Sequence, residues 1–276
     1  MHCIRQIIKK LFEPVDPNKF VDKDNKKSLR WLAWCAIFLG FTVVGIGQFI
    51  YGLDTVFTSI SASANYHGTA YLLPFVLGCM AIFFWDYVGY ENIDQVITKT
   101  MSIAAIFVAL FQCNEFGEGS IPQKLGFFGL SPYWSNIIHV VAAVILFLSL
   151  IIWIVFLFTR TKDKETGEGV WKWKDLSIEK KKRNRIFLFM GFLGVVGLVF
   201  AILNFCKVTT VPFVWLGEVI ILVSAGVALL VKSGWKVFAD KSELAAMPRK
   251  FGLRDFRTVR EKTFTFRQRV EDRKKN

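Results

Sequence analysis

Between Ile137 and Phe158 the chain offers only His139 and Ser149 as polar side chains, set in an unbroken run of Ile, Val, Leu, Ala, Phe and Trp. Crossing about 30 Å of hydrocarbon as an α-helix takes roughly 20 apolar residues, and the helix satisfies its own backbone N–H and C=O groups on the way. A run this long, without period-two alternation, reads as a membrane-spanning helix, and the span extends from Trp134 to Thr159.

Five further stretches fit the same pattern. They are Trp31–Leu53, the shorter Thr69–Asp86, Ile97–Cys113, Ile186–Cys206 and Val211–Val231. The third is the least apolar, because Lys99 lies near its start. Trp31, Tyr51, Tyr71, Tyr87, Trp134 and Trp235 stand at span ends, where a ring with one polar edge suits the water–lipid boundary. With 53% hydrophobic residues, 28 Phe and 9 Trp, the chain has far more apolar surface than a soluble domain of 276 residues would hide. The expected fold is an all-α membrane protein, a bundle of six transmembrane helices at residues 31–235. An amphipathic segment and charged linker precede it at 1–30, and a basic cytoplasmic tail follows at 236–276.

The cations set an orientation. Lys26, Lys27 and Arg30 precede the first span, Lys180, Lys181, Lys182, Arg183 and Arg185 lie between spans four and five, and Lys232 and Lys236 open the tail. The alternate loops, 54–68, 114–133 and 207–210, contain only Lys124 and Lys207. The positive-inside bias then places both termini in the cytoplasm. Residues 1–20 are too charged for the apolar core of a signal peptide. Ile4, Ile7, Ile8, Leu11 and Phe12 instead face away from Arg5, Lys9 and Lys10, as in an interfacial helix. The net charge of +13 is concentrated beside spans, where anionic lipid attracts it. Membrane lipids, and a second copy of the chain, are therefore the expected partners, and nucleic acid is not. In the tail, Arg254, Arg257, Arg260, Arg267 and Arg269 interleave with Phe251, Phe256, Phe264 and Phe266, a pattern suited to a membrane surface or to self-association.

Ionisable groups inside spans are costly and mark candidate sites. His139 in span four, Glu218 in span six, His67 at the mouth of span two, Asp54 and Asn204 all fall near the ends opposite the cations. Ser59, Ser61 and Ser63 precede His67 in a polar run. At about 1.5 Å per helical residue these groups share one layer roughly 10 Å deep. That layer is compatible with a simple His139–Glu218 lock between spans, with an outward-facing pocket for a lipid-like or small ligand, or with a metal site. The metal site would use His67, His139 and Glu218, a ligand set that suits zinc. An oligomeric pore or transport component lined by Glu218 is a further reading. Near the other membrane face, Asp86 is expected to pair with Lys99, Arg160 or Arg185. The five cysteines form no CxxC pair, and Cys113 and Cys206 lie on one side, where a disulfide could join them.

The segments Ser59-Ile60-Ser61-Ala62, Tyr87-Val88-Gly89-Tyr90 with Asp94, His139, Trp215-Leu216-Gly217-Glu218 and Leu230-Val231-Lys232-Ser233-Gly234 resemble a family of bacterial six-span membrane proteins of unassigned activity. The resemblance covers roughly residues 31–235 and implies a bacterial inner (cytoplasmic) membrane, crossed several times. Ser63-Ala64-Asn65-Tyr66-His67 and the later Asp86 are also similar to the pattern of ceramidase and adiponectin-receptor type hydrolases. That resemblance implies a metal-dependent membrane-embedded hydrolase, although no HxxxH pair occurs. No P-loop, Rossmann glycine pattern, GxSxG elbow or HExxH is present, so no catalytic residue is assigned.

Overall fold

Six helices account for nearly all of the structure, a computed structural model that describes residues 23–50, 59–66, 69–87, 92–114, 123–162, 169–170, 176, 178–205 and 213–234. They are α1 (Lys23–Gly45), α2 (Leu72–Asp86), α3 (Asn92–Leu110), α4 (Pro132–Ile152), α5 (Ile178–Phe205) and α6 (Phe213–Lys232). A π turn prolongs α1 over Ile46–Ile50, and another prolongs α4 over Trp153–Leu157. Five of the six are long and apolar enough to cross a membrane, and α2, with 15 residues, is shorter. The chain is thus a multi-pass helical membrane protein. Each helix covers most of an expected span, because in such a chain hydropathy and helix length report the same constraint. The expected interfacial helix at 1–20 and the basic tail at 236–276 lie outside the described residues.

Thr161–Lys162 and Gly169–Val170 pair as a two-residue antiparallel ladder that narrows the loop between α4 and α5. The N-terminal end of α1, the C-terminal ends of α2, α4 and α6, and the starts of α3 and α5 form the basic end of the bundle. The opposite ends, with the segment Ser59–Asn65, form the neutral end.

Helices α1, α6 and α5 pack side by side, as do α2, α3 and α4. The central element is α6, with 67% of its span buried against 22–39% in the other four long helices. Small residues explain how it comes so close to its neighbours. A methyl added at Gly197 of α5 would stand 2.6 Å from the Gly217 carbonyl oxygen of α6, and one added at Gly217 would collide with the Gly197 carbonyl. On the other side, a methyl at Gly226 would stand 2.7 Å from the Ala33 carbonyl oxygen of α1. Gly191 and Gly194 receive Val155 and Ile151 of α4 and its π extension. The glycines spaced by three along α5 are therefore packing positions. In lipid, where helix association relies on close van der Waals contact rather than on hydrophobic exclusion, such positions set the helix order.

Gly197→Leu should destabilise the bundle by about 1–3 kcal/mol, the usual cost of overpacking. Gly78→Ala, a site with nothing within 4 Å of the added methyl, should be near neutral. Thermal melting of the two purified variants in detergent tests this, and equal melting temperatures would refute the packing role.

Candidate functional site

At the neutral end the chain between α1 and α2 does not stay on the surface. Residues Ser59–Ala64 are buried, and Ser61–Asn65 form one short 3₁₀ turn inside the bundle. Non-helical backbone is tolerated at such depth only when protein satisfies its polar groups. Here the serines and a carboxylate do so. The Ala62 amide donates to Ser59 Oγ at 2.9 Å, and Ser63 Oγ donates to the Ile60 carbonyl at 2.6 Å. Thr69 Oγ1 donates to the Ser63 carbonyl at 2.7 Å, and Gln112 Nε2 donates to the Ala64 carbonyl at 3.3 Å. The Ile60 amide donates to Glu218 Oε2 at 2.5 Å, while Ser61 Oγ donates to Glu218 Oε1 at 3.4 Å. Both oxygens of the Glu218 side chain therefore act as acceptors.

His139 is buried nearby on α4, and its Nδ1 lies 2.6 Å from the Phe111 carbonyl oxygen. A carbonyl only accepts, so Nδ1 carries the proton, and in the neutral ring Nε2 is the basic nitrogen. The same loop is tied down by Ser135 Oγ donating to the Gln112 carbonyl at 2.8 Å and by Asn65 Nδ2 donating to the Cys113 carbonyl at 3.0 Å. Gln112 Oε1 in turn accepts from the Gly126 amide at 3.2 Å. Gly126 has φ 68°, and a methyl there would stand 2.8 Å from the Leu110 carbonyl oxygen, so this turn requires glycine.

Below Glu218 a narrow cavity of about 40 Å³ runs between the two groups of three helices. Leu39 of α1, Leu73, Leu77, Met80 and Phe84 of α2, Val108 of α3, Leu146 and Leu150 of α4, and Leu222 of α6 line it. Its polar groups are Ser61 and Glu218, both at one end. At the other end Phe84 stacks edge-on against Trp153, which also meets Tyr87 and Phe158. The cavity is thus an apolar slot with an acceptor at its neutral end and an aromatic floor.

The expected site residues divide accordingly. Ser61 and Glu218 face the slot, Ser59 and Ser63 fold the buried segment, and His139 is anchored to Phe111. Asp54 and His67 lie outside the described residues, as does the side chain of Asn204. Of the expected zinc ligands only His139 and Glu218 are described, and among the described residues no three His, Cys, Asp or Glu side chains gather as a metal site. Cys113 is buried and accepts from Asn65 at 3.6 Å, whereas Cys206 lies outside the described residues.

At the basic end the structure corrects one expectation. Arg160 pairs with Asp94, and Asp86 is exposed. The pair is buried, with 4% and 3% of the two side chains accessible. Two carbonyls left over where α4 ends are satisfied by one cation and one amide from α5: Lys180 Nζ donates to Phe158 O at 3.1 Å, and Asn184 Nδ2 donates to Thr159 O at 3.0 Å. Lys232 Nζ lies 5.1 Å from the centroid of the Phe158 ring, and Arg30 Nη2 donates to the Ser233 carbonyl at 3.2 Å. Asp94 was legible in principle, because it shares a helical face with Thr98, Met101 and Ala105, all buried on α3. Gln112 and Ser135 carried no such signal, since their role depends on which loop reaches them.

No protein-family model matches this chain, and no curated protein or solved structure does so either.

Asp94→Asn would leave Arg160 buried opposite a neutral group, at a cost of about 3–5 kcal/mol, while Asp94→Leu combined with Arg160→Met should recover most of the loss. Chemical denaturation in mild detergent separates the two, and a double variant no more stable than the single one would contradict a lone ion-pair effect.

Proposed function

We propose that this protein binds a lipid-like amphiphile in the slot between its two helix groups. The hydrocarbon chain would lie against Leu73, Leu77 and Leu146, and the polar head would meet Glu218 and Ser61. The observation that supports this is the distribution of polarity along the slot: apolar walls with a single carboxylate at one end. At about 40 Å³ the slot is narrow, so a chain enters only as the leucines and Met80 that line it repack outward; burial of apolar area then supplies affinity, and the few placed polar groups set orientation. An acceptor-only carboxylate selects a head that donates hydrogen bonds, so an ammonium or a hydroxyl suits it and a second carboxylate does not.

The same reading includes a topology. Six spans are proposed, with α2 as the short one, both termini in the cytoplasm, and the neutral end facing out. The distribution of Lys and Arg between alternate loops supports it. On the resemblance already described, the membrane is proposed to be a bacterial inner membrane.

Binding is tested with a nitroxide-labelled long-chain amine and the full chain in nanodiscs, followed by electron paramagnetic resonance. An immobilised component should appear with wild type. Glu218→Gln keeps an acceptor for Ile60 but removes the charge, and should weaken Kd by roughly 10- to 100-fold, equivalent to about 1.5–3 kcal/mol. Equal affinity of the two proteins, or stronger binding of the matching labelled fatty acid, would overturn the head-group assignment.

Sidedness is tested by placing single cysteines at Lys124 and Lys182 in a background without native cysteines. A membrane-impermeant maleimide applied to intact cells should label Lys124→Cys and spare Lys182→Cys; the reverse pattern would invert the topology.

A further inference from the structure

A second hollow of about 440 Å³ lies on the lipid-facing side of the bundle, between α1 and α2. Trp31, Phe75 and Ile82 on its rim are exposed apolar side chains, at the depth where the bilayer supplies the solvent. Its polar groups are Ser28 and Asp86 at the basic end and the thiols of Cys35 and Cys79 midway. Helices α1 and α2 also touch each other far less than α1 touches α6 or α2 touches α3, so this is a loose seam of the bundle.

Two features join this groove to the central slot. Along α1, Ser28, Leu32 and Cys35 face the groove, and the next position on the same helical stripe, Leu39, faces the slot. The stripe from Ser28 to Leu39 runs about 16 Å. Across from it, Met80 of α2 lines both hollows and is itself buried. The wall between the lipid-facing groove and the slot is therefore formed at that point by one unbranched thioether side chain. Methionine has three rotatable bonds and repacks at low cost, unlike the Phe84 and Leu77 side chains on either side of it.

We propose that the seam between α1 and α2 is a lateral portal, through which the hydrocarbon chain of an amphiphile dissolved in the bilayer passes from the groove into the central slot, with Met80 as its gate. The proposal rests on the binding reading above and adds the route and the source of the ligand: the membrane itself rather than the aqueous phase. Between its polar basic end and Phe75 the groove is lined by Leu32, Val76, Met80, Ile82 and Phe83 with the thiols of Cys35 and Cys79, a path a hydrocarbon chain can follow while its head stays at the neutral end. Entry by this route needs no exposure of the slot to water.

The experiment follows the rate at which the nitroxide-labelled amine becomes immobilised after full-length protein in nanodiscs is mixed with probe-loaded vesicles. Met80→Ala should speed association, and Cys79→Trp, which fills the groove from an exposed position, should slow it by about tenfold while Kd stays within about twofold, because entry and exit share the path. Met80→Trp provides a second block, and Cys79→Trp remains informative if that core variant does not fold. Unchanged rates in both Met80→Ala and Cys79→Trp, with wild type still binding, would overturn the portal and leave the slot standing. Failure of wild type to immobilise the probe at all would overturn both.

Discussion

Inside hydrocarbon a backbone amide has no water to turn to, and every element of this bundle answers that constraint. The six helices do so internally. The segment from Ser59 to Asn65 cannot, being too short and irregular, and it is held by side chains instead: Ser59, Ser63, Thr69 and Gln112 close its local bonds, and Glu218 accepts from Ile60. The most conspicuous acidic residue of the membrane region thus has a structural task as well as a place at the head of the slot. The cost of burying this acidic side chain is offset by an amide and a hydroxyl that aim at it.

The two ends of the bundle solve opposite problems. At the basic end, cations gather beside the terminal carbonyls of α4 and around the buried Asp94–Arg160 pair, while Phe84, Trp153 and Phe158 close the core beneath them. At the neutral end, serines and amides carry the hydrogen bonding together with the buried acidic side chain of Glu218. Between them the helices cannot close completely. The glycine contacts draw α5 and α6 together and pull α1 onto α6, and the slot remains where this group meets α2, α3 and α4. Shape and chemistry then coincide: the place where packing is incomplete is also the place where one polar end is available.

Helix position alone put His139 and Glu218 near the same end of their helices, and both side chains are buried. Their roles were not readable. Nothing in helix position alone pointed to the bond from His139 to Phe111 or to that from Glu218 to the buried segment. Depth is set by counting residues along one helix, whereas a bonding partner depends on the rotation of two helices and on the path of a loop. Arg160 teaches the same lesson, since Asp86 is exposed while the rotation of α3 turns Asp94 inward to meet it.

By itself, the amino-acid order determined that the chain carries apolar helices of membrane-spanning length, roughly where each lies, and which of their ends carry the cations, while several helices begin five to eight residues before the apolar run that signals them. These are properties of single segments, decided by length, hydropathy and charge, and they need no knowledge of neighbours. Tertiary structure alone decided that Gly197 faces Gly217, that Ser59–Asn65 folds inward, and that Met80 separates two hollows. Each of these depends on how helices are rotated and ordered around one another, and in hydrocarbon that choice is made by close packing and hydrogen bonding between segments, which no single segment encodes.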